Sequence, residues 1–154
     1  VTAQLRQVAD MADGFVRELR RFASATTNMS ASNEPAFMLD LRSHAAHFKD
    51  YYQLDVTLSG HDALDINDRL GAEVVQLVRE GMSNIRRHTA ATRAAIGLSR
   101  NDGWLHIRIE NDCPFGPPAA FTPRSISERA ASLGGFAYVG STDKATAVHV
   151  DIPL

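Results

Sequence analysis

Glu80 and Asn84 stand four residues apart in the run EGMSNIRRH, from Glu80 to His88, and residues at that spacing share one face of a helix. A carboxylate there can polarise or position an attacking group. An amide oxygen is the kind of hard ligand that Mg2+ accepts. One turn further on, His88 and the flanking Arg86 and Arg87 can meet phosphate oxygens. Spacing alone describes a solvated polar stripe as well, because such pairs are common on helix surfaces.

The helix that carries these residues is expected to start at Asn67, a suitable N-cap. Leu70, Val74, Leu77, Val78, Gly81 and Ile85 form its buried side. Glu80 and Asn84 fall beside that stripe, at the boundary between core and solvent where a ligand pocket would lie. Downstream, Ala94, Ile96 and Leu98 alternate, Asn101, Asp102 and Gly103 make a turn, and Leu105, Ile107 and Ile109 alternate again. That pattern predicts a hairpin, with Trp104 at its start as a packing residue. Asn111 to Arg124 holds Pro114, Pro117, Pro118 and Pro123, which excludes a helix or a central strand and predicts a long loop. Ser125 and Glu128 have the spacing of a capping box for a short helix ending at Leu133, stopped by Gly134 and Gly135. Two last strands, Phe136 to Gly140 and Ala145 to Ile152, flank a turn at Asp143 and Lys144.

Upstream, Phe37, Leu41, Ala45, Phe48 and Tyr52 recur at helical spacing, and Leu54, Val56 and Leu58 alternate as on a half-buried strand stopping at Gly60. At the front of the chain Leu5, Val8, Ala12, Phe15, Leu19 and Phe22 step by three and four. This is the apolar seam of a packed helix, read either as an amphipathic helix on its own domain or as a remnant of a dimerising bundle. Ser24 to Glu34 is polar and small, ending at Pro35, and reads as a linker. The division expected is residues 1–34 for the helix and linker, and 35–154 for the main domain. With strands outnumbering the crossovers of a parallel sheet, the fold class expected is an α+β two-layer sandwich. Its sheet is mixed and mostly antiparallel, with helices on one face.

The 154 residues, 44% hydrophobic and 22% charged, suffice for one core and a short appendage. A net charge of -2 gives no general attraction to nucleic acid or anionic membranes, so phosphate binding must be local. Cys113 is the only cysteine, which excludes an internal disulfide and a cysteine zinc cluster and suits a reducing cytoplasm. No apolar run reaches the ~18 residues of a membrane span. The start at Val1 reads as a piece of something longer, with an upstream membrane anchor left open.

The order of elements, with EGMSNIRRHT before a hairpin, IENDCP at its end, SERAASLGG after a loop and VHVDIPL at the C-terminus, resembles the ATP-binding domain of sensor histidine kinases. It looks most like the nitrate-sensor-like subfamily. The likeness covers roughly Phe37 to Leu154, and the first helix resembles the end of the dimerisation bundle. The resemblance implies the Bergerat ATPase fold, with ATP and Mg2+ bound between helices and a mobile lid. By it, Asn84 would hold Mg2+, Glu80 would serve catalysis, and Arg87 and His88 would face phosphate. Asn111 and Asp112 match the start of the first glycine box, which reads the adenine amino group. Thr146 matches the threonine ending the last box. By the same resemblance the lid would be Cys113 to Arg124, with Cys113, Pro114, Gly116 and Arg124 as its candidate site residues, and Glu128 and Arg129 match a recurrent pair after it.

This chain departs from the family where glycines are usual. Cys113 follows the Asn-Asp pair, FTPRSIS (Phe121–Ser127) replaces the glycine-rich stretch, and Asp143, Lys144 and Ala145 stand in the last box. Glycines there let backbone N–H groups approach phosphates closely. Two functions are therefore expected. One is a catalytic domain moving the γ-phosphoryl of ATP to a histidine upstream or on a partner, working with a response regulator and dimerising through the leading helix. This would be a cytoplasmic domain that binds no nucleic acid. The other is a degenerate domain with weak nucleotide binding that dimerises or docks a regulator. His44 and His47 as metal ligands, Cys113 as a redox sensor, and Arg86, Arg87 and Arg93 as a nucleic-acid patch are weaker candidates.

Overall fold

The computed structural model describes residue 16 and residues 34–60, 64–116 and 122–154. The chain divides into two compact units, Val1–Asn33 and Glu34–Leu154. The leading apolar seam and the polar linker up to Asn33 lie outside the described residues.

In the second unit, α1 (Ala36–Tyr52) follows Pro35 and buries Phe37, Met38, Leu41, Ala45 and Phe48. It ends at Gln53, which takes the left-handed conformation. Strand β1 (Asp55–Gly60) comes next, then α2 (Asp68–His88). The Asn67 side chain accepts the Leu70 N–H at 2.9 Å, the N-cap that its residue type favours. Strands β2 (Arg93–Asn101) and β3 (Trp104–Asp112) form the expected hairpin. Asp102 (φ 50) and Gly103 (φ 78) make its two-residue turn, with the positive φ that strand twist selects there. Helix α3 (Arg124–Ser132) leads to β4 (Phe136–Ser141) and β5 (Ala145–Pro153).

The five strands lie in the order β1-β2-β3-β5-β4. All neighbours are antiparallel except β1 and β2, whose parallel pairing needs the crossover that α2 provides. One sheet face carries Ile96, Leu98, Leu105, Ile107, Ile109, Val148, Val150 and Ile152, all buried in one core with α1, α2 and α3. The other face carries Ser59, Ser99, His106, Arg108, Glu110, Tyr138, His149 and Asp151. The chain is thus an α+β two-layer sandwich with a mixed, mostly antiparallel sheet and its helices on one face.

Each Leu, Ile or Val buried in that core contributes about 1.5–3 kcal/mol, so packing rather than helix propensity sets where α2 lies. Gly81 permits the close approach. A β-carbon there would come 2.5 Å from Ile109 Cδ1.

Three expectations are corrected. Asn111 and Asp112 belong to β3, paired with Thr146 and Ala145 of β5, so the loop begins at Cys113. Arg124 is not in the loop but opens α3. The Ser125–Glu128 capping box does not form. Pro123 occupies the N-cap without a side-chain cap bond, and Glu128 is taken by Arg124 at 2.9 Å. The glycine stop does form, as Gly134 N–H reaches Ala131 O and Gly135 N–H reaches Ala130 O, the paired bonds of a Schellman end.

Candidate functional site

Glu80 and Asn84 are both half-buried on α2. Among the described residues, neither side chain makes a hydrogen bond or ion pair. Both side chains keep contact with solvent, so water satisfies their polar atoms and a ligand can take its place. Glu80 faces a cavity of about 250 Å³ between α2 and α3, lined by Gln76, Leu77, Arg79, Glu80, Ser83, Ser125, Ile126 and Arg129. Asn84 does not line it.

The basic cluster at the end of α2 splits. Arg87 folds back along the helix, its Nη2 donating to Ser83 Oγ at 2.6 Å, and so leans towards the cavity that Ser83 lines. Arg86 turns to α1, with its guanidinium 4.6 Å over the Tyr52 ring. His88 is exposed. Arg129 reaches across to α2, donating to Glu73 at 2.8 Å, which ties α3 to the site helix.

Asn111 and Thr146 are the buried polar residues of the described core, 5% and 3% exposed, and they face each other across β3 and β5. Asn111 lies two residues beyond Ile109 on the same face, about 7 Å along the strand. Its Nδ2 donates to the Asp112 carbonyl at 2.9 Å, which leaves Oδ1 as the acceptor it can offer. The Thr146 hydroxyl lies 3.5 Å from Cys113 Sγ and 3.4 Å from Ser141 Oγ. The Cys113 thiol therefore sits against Thr146 where the resemblance calls for glycine.

Asp112 is already engaged. Its Oδ1 accepts the backbone N–H groups of Thr92 and Arg93 at 2.9 and 3.0 Å, and its Oδ2 accepts the Thr92 hydroxyl at 2.9 Å. Partial burial works to raise its pKa. The hydrogen bonds from Arg93 and Thr92, with the Arg93 charge, outweigh that and hold the carboxyl below the usual aspartate value. Asp112 thus serves the chain's own backbone.

Of the lid, Cys113 donates its N–H to Lys144 O at 2.9 Å, and Gly116 N–H closes a turn onto Cys113 O at 3.2 Å. Pro114 and Phe115 are exposed. Residues 117–121 lie outside the described residues.

No family model and no curated protein matches the chain. Solved structures do. The histidine kinase domain of the Erythrobacter litoralis EL346 blue-light activated histidine kinase is similar at 19% identity and TM-score 0.62, over 86% of this chain and 69% of that one. Acinetobacter baumannii histidine kinase AdeS is similar at 14% identity and TM-score 0.64, over 94% and 79%. The catalytic domain of histidine kinase ThkA is similar at 14% identity and TM-score 0.54, over 74% and 90%. The fold is that of a histidine-kinase catalytic domain. The chain spans 40% of the longer Erythrobacter litoralis protein.

Within that fold, sequence reasoning named Glu80, Asn84, Arg87, His88, Asn111, Asp112 and Thr146. The structure brings Glu80 to the cavity, leans Arg87 towards it through Ser83, and sets Asn111 against Thr146. These groups do not meet in one described cavity. Ser83 was missed, although its place three residues after Glu80 and four before Arg87 put it on the same face. Glu73 was missed as the partner of Arg129, 56 residues away, and no local pattern marks it. Among the described residues no group of His, Cys, Asp or Glu is arranged to hold a metal. His44 and His47 pack instead in an aromatic cluster with Phe48 and Tyr51. No described helix is long and apolar enough to cross a membrane.

Proposed function

We propose that this chain is the nucleotide-binding catalytic domain of a sensor histidine kinase of the nitrate-sensor-like type, acting in two-component signalling from the cytoplasmic side of its parent protein. The observation that carries this reading is the unpartnered pair Glu80 and Asn84 on a helix seated by Gly81 against β3, the strand that ends in buried Asn111 opposite buried Thr146. Asn111 Oδ1 would accept from the amino group of adenine. Glu80 would orient the attacking imidazole of a histidine outside this chain. Arg87 and His88 would offset phosphate charge, and Asn84 would hold Mg2+.

The residues fit that ion. Mg2+ takes oxygen ligands, keeps several waters and shares phosphate oxygens, so one amide oxygen beside a carboxylate is a sufficient protein contribution. When bound, the ion neutralises charge on the β- and γ-phosphates. The chain's own part is positioning, which supplies most of the catalysis in phosphoryl transfer. The response regulator and a partner copy joined through the leading helix complete the reading. Calorimetric titration of this chain with ATP, with and without Mg2+, tests it. Heat that depends on Mg2+ supports the proposal, and none at millimolar ATP refutes it.

Two observations favour a second reading, a domain that keeps the fold but binds nucleotide weakly and serves as a dimerisation or regulator-docking module. Asp112 is committed to Thr92 and Arg93, and the cavity of about 250 Å³ is below the usual ~300–1,000 Å³ of ligand pockets. The same titration separates the two.

A further inference from the structure

Strand β4 is the last strand of the sheet, and among the described residues its backbone pairs only with β5. Its sequence, FAYVGS, has none of the usual protections of an open edge: no charge, no proline and no bulge against β5. Phe136 and Tyr138 are 52% and 49% exposed on the open sheet face. Their rings stack with each other at 6.3 Å, and Tyr138 stacks on His149 at 4.7 Å.

We propose that β4 is a self-association edge, at which the β4 of a second copy of this chain adds antiparallel about a twofold axis through Tyr138. The strand is self-complementary in that register. Phe136 of each copy faces Gly140 of the other, Tyr138 faces its own copy, and Ala137 faces Val139 on the core side. An aromatic across from a glycine fills the space the missing side chain leaves, and at Gly140 a β-carbon would meet only the His149 ring, at 3.6 Å. Alternation of side chains forbids axes between residues, because paired residues must point to the same face. An axis through Val139 leaves Phe136 without a strand residue opposite and pairs Ala137 with the polar Ser141. An axis through Ala137 pairs about half the strand. The proposal does not rest on the nucleotide reading.

Disulfide trapping in the whole chain tests both the contact and its register. In a Cys113→Ser background, Tyr138→Cys is expected to yield a covalent dimer at least about tenfold faster than Gly140→Cys. The first pair would lie ~4.5–5.5 Å apart between Cα atoms, within disulfide reach. The second would be offset by four residues, ~13 Å. In the chain with its native cysteine, Tyr138→Lys is expected to lower the mass measured by sedimentation equilibrium, with circular dichroism and melting temperature retained. Equal trapping at the two positions, no trapping at 138, or an unchanged mass in a folded Tyr138→Lys variant would overturn it, the last two leaving the edge to a strand of some other protein.

Discussion

Asp112 at the end of β3 holds Thr92, the residue just before β2, through two of its three hydrogen bonds, one to the backbone N–H and one to the hydroxyl. The loop between the end of α2 and β2 is thereby tied to the residue that precedes the lid. Asp112→Ala is expected to cost about 2 kcal/mol, the scale of hydrogen bonds to a charged group. Because the folded carboxyl titrates below its usual value, its contribution is complete above the unfolded value of about 3.9. It is lost as the pH falls from there through the folded value. Urea denaturation between pH 6 and pH 2.5 should show a smaller acid loss in the variant than in the parent.

Asn84→Ala should leave the melting temperature within about 2 °C of the parent, because the amide has no described partner to lose and alanine favours the helix. Mg2+-dependent ATP binding should weaken by more than about tenfold, the lower end even for groups that only support a metal. A large stability loss in the thermal melt would assign Asn84 a structural role instead.

Cys113→Gly removes a thiol 3.5 Å from Thr146 Oγ1 and restores backbone freedom at the start of the lid. ATP should bind more tightly in calorimetry. An unchanged Kd would show that the cysteine does not limit the site.

Gly135→Ala should destabilise the domain by about 3 kcal/mol or more, since a β-carbon there would collide with the Asp151 carbonyl oxygen. Gly97→Ala provides the contrast. Its nearest neighbour is the Ser59 hydroxyl at 3.6 Å, so its thermal midpoint should stay close to that of the parent or rise slightly.

Periodicity made the site helix legible, from the Asn67 cap through Leu77 and Gly81 to Ile85, and alternation with a tight turn did the same for the β2–β3 hairpin. Both patterns report how a segment meets a core, which is local information. The capping box failed because two rules competed for one residue. Arg124, four residues before Glu128, claimed the carboxylate, and Pro123 already began the helix. The hydrogen bonds of Asp112 escaped notice for another reason, since its donors lie about twenty residues back and become neighbours only when β2 and β3 pair.

The sequence by itself determined the elements, their order and the helical face on which Glu80 and Asn84 stand, because burial imposes a period of 3.6 or 2 on any segment that touches the core. Tertiary structure alone decided that β1 runs parallel to β2, that Glu73 holds Arg129, and that Thr92 and Arg93 occupy Asp112. It also left β4 at the sheet edge with its aromatics half-exposed. These depend on which segments meet at long range, and that is set by packing the whole core at once.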